Sequence, residues 1–221
     1  MSDIKEQWEQ RQRVLGNTAR AVLFKNFPAG FNARLHRAHV RFLVDNLPAG
    51  TRTLLDVGCG YGRTAAAIKQ QFPAIEFDGV ELCEEFARAF EASIGPCFAG
   101  SVAEFETSQE YDAITIVTLL MYLDREQQQR VLARLWKHVR PGGRMILIEP
   151  YLNVLTSLRR SFHLRALAPT GGEVGYFRRG EFVDLLQAAI PEARIMKLAR
   201  FNMPFAGFPT LHLGAVLEKQ R

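Results

Sequence analysis

From Thr51 onward the chain alternates between short apolar runs and longer stretches whose apolar positions recur every three or four residues. Thr53-Leu54-Leu55-Asp56-Val57 is apolar on both faces, as in a strand buried in a parallel sheet, and Gly58-Cys59-Gly60-Tyr61-Gly62 breaks it. Thr64 to Phe72 predicts a helix closed by Pro73, Ile75–Glu81 a second strand, Glu84 to Ala92 a helix, and Cys97-Phe98-Ala99 a short third strand. Tyr111–Val117 is the clearest strand of all. The helix after it opens on Asp124 as N-cap, with Gln127 three residues on, and ends near Arg140-Pro141-Gly142-Gly143. Arg144–Ile148 predicts a fifth strand, Arg179 to Ala189 a helix, and Arg194–Arg200 and Leu211–Glu218 two final β-rich runs. Strands alternating with helices in this way predict an α/β, doubly wound, mostly parallel sheet covered on both faces.

Two stretches stand outside the alternation. Residues 1–50 are helical in period, with Trp8, Val14, Phe24 and Phe27, and read as an N-terminal helical cap or lid. Residues 51–221 read as one domain, with 150–177 as a long connection. Long connections in compact domains usually carry function. This one leaves from the carboxyl edge of the strands, where open parallel sheets bind ligands, so it is expected to line a substrate pocket.

Composition narrows the class. With 48% hydrophobic and 23% charged residues in 221, the chain can bury a full core. The net charge of +5 is too mild to announce nucleic acid, although residues 51–124 carry −8 between flanks of +4 and +9. Three cysteines (Cys59, Cys83, Cys97) without metal-like spacing suit a reduced, cytoplasmic inventory, with no metal expected. No apolar run reaches the length of a spanning helix, so integral-membrane association is not expected.

The glycine loop carries the chemistry. Glycines after a strand let a ligand lie almost against the backbone. The dinucleotide pattern G-x-G-x-x-G sets its third glycine one residue later than Gly62, where Arg63 stands here. Asp56 ahead of the loop would repel a phosphate and suits a cationic ligand. Glu81 closes the second strand, and a carboxylate there can accept hydrogen bonds from both hydroxyls of a ribose.

An acidic strand end, G-x-G-x-G and a second acidic strand end together resemble the class I S-adenosylmethionine-dependent methyltransferases. The resemblance covers residues 50–150 and extends to the C-terminus by topology. It implies a seven-stranded sheet with an antiparallel last strand, S-adenosyl-L-methionine as cofactor, and binding through Asp56, Gly58, Cys59, Gly60 and Tyr61 around the methionine part. Glu81 and Leu82 would serve the ribose. Ser101 stands where the family commonly has an Asp beside the adenine, leaving that contact to the backbone N–H of Val102. Val117 and Thr118 end the fourth-strand motif.

In-line positioning of a nucleophile in a dry pocket is the main task of such an enzyme. Tyr122 and Glu149, after the fourth and fifth strands, are the expected substrate-side residues, with His163 as a base. Tyr151, Tyr176, His36 and His39 stand behind them. His138 and His212 read as structural. An Asn/Asp-Pro-Pro-aromatic motif is absent after the fourth strand, where Thr118-Leu119-Leu120-Met121 stands, so nucleic acid is not the expected partner. The expected acceptor is an O or N atom of a small molecule. Arg159, Arg160, Arg165, Arg178 and Arg179 suggest that it is anionic. The basic amphipathic Leu155, Leu158 and Phe162 segment suggests an amphipathic one. RNA or protein methylation, and a cofactor-binding partner subunit without catalysis, are the alternatives. A homodimer through the aromatic N-terminal segment is left open.

Overall fold

The computed structural model describes residues 2–23, 29–151, 177–200 and 212–220. Seven strands form one sheet in the order β3-β2-β1-β4-β5-β7-β6. β1 (Thr53–Val57) lies between β2 (Glu76–Glu81) and β4 (Tyr111–Val117) and runs parallel to both, with Val57 beside Val80 and Ile116. β3 (Cys97–Ala99) extends the parallel side beyond β2, and β5 (Val139–Pro150) extends it beyond β4. β7 (His212–Glu218) is antiparallel to both β5 and β6 (Arg194–Arg200). The α/β, doubly wound reading with an antiparallel last strand is the fold observed.

Alternation along β1 builds two cores. Leu55 and Val57 join Val131, Leu132 and Trp136 of α6 (Arg125–Lys137) and Phe182 and Leu185 of α7 (Arg179–Ala189). Leu54 joins Ile68 of α4 (Arg63–Gln71), Phe90 of α5 (Glu84–Ser93) and Phe42 and Leu43 of α3 (Ala29–Val44). The helix α1 (Ser2–Leu15) packs against α2 (Ala19–Val22) and α5, α2 packs against α3, and Lys5 of α1 reaches Glu84 of α5 at 2.9 Å. Asp124 caps α6 as expected: its carboxylate accepts from the Gln127 amide at 2.8 Å while Gln127 accepts from the Asp124 amide at 3.1 Å.

Residues 140–143, expected at the end of the helix, are part of β5, and the helix ends earlier at Lys137. The end of β7 holds them extended: Gly142 donates to the Lys219 carbonyl at 2.8 Å and Lys219 donates to Gly143 at 3.0 Å. Gly142 absorbs the bend with φ of 80°.

Strand order reverses where β1 meets β4, because successive βα units leave β1 toward opposite edges. In such sheets the carboxyl ends of the two strands at the reversal frame a crevice.

Candidate active site

The loop after β1 is latched to its neighbour. The amides of Gly58 and Cys59 both donate to the Val80 carbonyl, at 2.8 and 3.2 Å. Gly58, Gly60 and Gly62 all have positive φ, at 72°, 56° and 85°. A Cβ on Gly62 would stand 2.8 Å from Ile94 Cγ1, so this glycine lets α4 start hard against the end of α5.

Glu81 ends β2 just beneath that loop. Its Oε2 accepts from the Gly60 amide at 2.8 Å and its Oε1 from the Cys83 amide at 2.9 Å. The side chain is 8% exposed and borders the crevice. Burial pushes its pKa up, while the amides of Cys83, Gly60 and Leu82 pull it down. Each oxygen keeps a lone pair for a further donor. Asp56 lies deeper: Oδ1 accepts from the Thr115 hydroxyl at 2.8 Å and Oδ2 from Thr64 at 3.2 Å, and burial raises its pKa.

A cleft of about 220 Å³ runs from Asp56, the glycine loop, Glu81 and Leu82 past Ser101 and Val102 to Val117, Thr118 and Tyr122. Thr118 is the one described non-glycine residue with positive φ, at 55°, and its amide donates to the Ile148 carbonyl at 2.7 Å. A β-branched residue in that region is a strained outlier, and such strain gathers at functional sites. Tyr122 meets Trp8 of α1 edge to face, with ring centroids 5.7 Å apart, and the Arg11 guanidinium lies 5.2 Å from the Trp8 ring.

Two expected positions are corrected by this geometry. Glu149 does not border the cleft. It is fully buried, and its carboxylate accepts from the amides of Leu119, Leu120 and Met121 at 3.0, 2.8 and 3.3 Å. It thereby folds the short 3-10 turn Leu120–Tyr122 that carries Tyr122. The Tyr61 ring packs on Phe86, with centroids 6.1 Å apart, in a cluster with Ala21 and Cys83, and does not itself line the cleft. His163, Tyr176, Arg159, Arg160, Arg165 and the Leu155–Phe162 segment lie outside the described residues. His39 and His212 are buried edge to face, with centroids 4.9 Å apart, and burial holds both below the ordinary histidine range.

Sequence reasoning missed Ile4, Trp8, Val22, Arg63, Leu119 and Gln127 as cleft-wall residues. The aromatic, helical N-terminus was the available signal for the first three. Arg63 is half-buried, donates to His36 Nδ1 and has no carboxylate within ion-pair distance among the described residues. Desolvation lowers its pKa to about 10, against a pull from Tyr61 and Asp56.

A switch-point crevice with a glycine loop latched to β2, a buried acid at the tip of β2 and an antiparallel last strand support the resemblance to the class I S-adenosylmethionine-dependent methyltransferases. Residues 54–143 match the family described as a methyltransferase domain. The chain is 30% identical over 98 residues to a trans-aconitate 2-methyltransferase of Deinococcus radiodurans, a match covering 44% of this chain and 37% of that protein. It is 29% identical over 145 residues to an uncharacterised methyltransferase of Mycobacterium tuberculosis, covering 64% of this chain and 70% of the relative. Among solved structures, magnesium protoporphyrin IX methyltransferase of Synechocystis, with bound S-adenosylhomocysteine, shares the fold at a TM-score of 0.68 and 15% identity, covering 99% of both chains. The N-methyltransferase NodS of Bradyrhizobium japonicum, also with S-adenosylhomocysteine, does so at 0.64 and 15%, covering 97% of this chain and 99% of that one.

The residues present fit the family's cofactor, S-adenosyl-L-methionine. The cleft floor is bare backbone at Gly58 and Gly60, a Cβ on Gly60 would stand 3.2 Å from Val22 Cγ1, and the Glu81 carboxylate faces the same space.

Proposed function

We propose that the protein transfers a methyl group from S-adenosyl-L-methionine to an O or N atom of a small anionic metabolite by in-line displacement. The observation that carries this reading is Glu81: a buried carboxylate held by the Gly60 and Cys83 amides, with lone pairs left over toward the cleft. Glu81 would hold the ribose hydroxyls, the Gly58–Gly60 backbone and Asp56 the methionine part, and Ser101 and Val102 the adenine. When bound, the cofactor supplies an electrophilic methyl group on a sulfonium. The chain's own residues do the rest. Trp8, Val22 and Leu119 exclude water, which strengthens every polar contact inside. Tyr122, fixed by Trp8 and by the turn that Glu149 holds, presents its ring and hydroxyl on the acceptor side.

The anionic character of the acceptor is inferred from Arg63, a desolvated guanidinium in the cleft wall whose fork suits a carboxylate. The similarity to a methyltransferase named for trans-aconitate supports the same class. No described helix is long and apolar enough to cross a membrane.

Calorimetric titration with S-adenosylhomocysteine tests the reading. The wild type is expected to bind, and Glu81→Ala to lose at least tenfold in affinity, the equivalent of about 1.4 kcal/mol for one displaced charged acceptor. Equal binding by the two would refute it. Incubation with metabolite extracts and the cofactor should then yield a product heavier by one CH2. Tight, steeply salt-dependent RNA binding would favour the RNA alternative suggested by the basic flanks.

A further inference from the structure

Cys59 and Cys97 lie far apart in sequence, yet their Sγ atoms are 3.8 Å apart. Cys59 sits in the cofactor loop, anchored by its amide to the Val80 carbonyl. Cys97 opens β3 and pairs with Gly79 of β2. Gly79 lies between the sulfurs: a Cβ there would stand 2.9 Å from Cys59 Sγ and 3.0 Å from Cys97 Sγ. Only a residue without a side chain lets the two thiols touch. Cys97 is partly exposed, whereas Cys59 is 6% exposed and borders the cleft. The third thiol, Cys83, is fully buried in a separate cluster with Ala21 and Phe86.

We propose that Cys59 and Cys97 form a modification site, a dithiol that a hydroperoxide oxidises to a disulfide, and that this bond weakens cofactor binding. The second half rests on the methyltransferase reading; the first does not. Cys97, the accessible thiol, attacks the peroxide as its thiolate. Its sulfur takes one oxygen, the O–O bond breaks, and the other oxygen leaves as water or an alcohol. The Cys59 sulfur then attacks the sulfenic acid, the S–S bond forms, and hydroxide leaves with the Cys59 proton as water. With hydrogen peroxide, two thiols and one peroxide give one disulfide and two waters, two electrons passing to the peroxide. The order of events suits the chemistry, because burial and the neighbouring Cys97, Asp56 and Glu81 push the Cys59 thiol well above its usual range.

A disulfide needs about 2.05 Å between sulfurs, so the pair closes by roughly 1.8 Å. Rotation of the two side chains supplies part of that. β3 is held by a three-rung ladder (Gly79 to Cys97, Val80 to Phe98, Glu81 to Ala99), so the remainder falls on the loop. The next residue in that loop is Gly60, whose amide sits 2.8 Å from Glu81 Oε2. Drawing Cys59 toward β3 therefore disturbs the contact that orients Glu81.

The test treats the reduced full-length protein with hydrogen peroxide and reads intact mass, peptide map and S-adenosylhomocysteine affinity. The expected result is a loss of about 2 Da for two hydrogens, a Cys59–Cys97 linked peptide and an affinity lowered about tenfold. Dithiothreitol should restore both. Cys97→Ala should abolish the mass loss, and Cys83→Ala should retain it. Absence of the linked peptide, a link through Cys83, or a linked protein with unchanged affinity would each overturn the proposal. Failure of the reduced protein to bind would instead count against the methyltransferase reading, while the mass measurement would still decide the dithiol chemistry.

Discussion

Glu149 offers the sharpest test of the energetics, because burial and backbone amides pull its charge in opposite directions. Desolvation, opposed by the amides of Leu120, Leu119 and Met121, raises its pKa from the usual 4.5 to about 8. The folded chain thus holds this proton more tightly than the unfolded chain does. The stability Glu149 contributes is full below about pH 4.5 and is lost as pH climbs to about 8. From pH 5 to pH 8, about 3 units at 1.36 kcal/mol each remove roughly 4 kcal/mol, or ~8–16 °C in Tm for a chain of this size. Glu149→Gln removes the titration while keeping the shape. It also sets an NH2 against one of three buried amide donors, at a cost of about 1–3 kcal/mol that does not vary with pH. Thermal unfolding of both proteins should be followed by circular dichroism from pH 5 to pH 9. The Tm of the wild type minus that of the variant should be most positive at pH 5 and fall steadily toward pH 8. A difference that stays flat across this range would refute the assignment of a desolvated, proton-holding carboxylate beneath the 3-10 turn.

Gly62→Ala should lower Tm by about 4–8 °C, since a positive φ of 85° and a contact of 2.8 Å to Ile94 together cost about 2 kcal/mol. Thr118→Asn should raise Tm by about 2–4 °C, because asparagine tolerates the left-handed region and relieves roughly 1 kcal/mol of strain; a lower Tm would show that Thr118 is not strained. Trp8→Ala should weaken S-adenosylhomocysteine binding by about tenfold through loss of cleft wall and the Tyr122 ring contact, and an unchanged affinity would remove α1 from the site.

What could be read in the chain was whatever acts locally. The two-residue alternation around Leu54 and Leu55 divides the cores because a strand sends neighbours to opposite faces. Asp124 and Gln127 announced a helix start because the capping box closes within one turn. Glu149 reads from the sequence as the residue just after the fifth strand, whereas it lies inside β5, and its role depends on residues 119–121 folding back over it, a contact some thirty positions distant. Thr118 went unnoticed as a special backbone position because β-branched residues argue against a left-handed conformation. The Cys59–Cys97 contact was invisible for a different reason: it exists only through the register of β2 against β3.

Three consecutive residues of β2 explain why the site is organised from that strand. The Gly79 position, without a side chain, leaves room for two sulfurs; the Val80 carbonyl takes two amides from the glycine loop; the Glu81 carboxylate takes a third from Gly60. The β1–β2 register sets Val57, the last residue before the loop, directly beside Val80. A one-residue slip would turn each β2 side chain to the opposite face. The Glu81 carboxylate would then leave the cleft, and the loop would lose the acceptor that shapes it. Such a slip is opposed by the cores: Val80 and Phe77 are both almost fully buried, on opposite faces of the sheet. The same burial that stabilises β2 therefore fixes the direction in which its terminal carboxylate points.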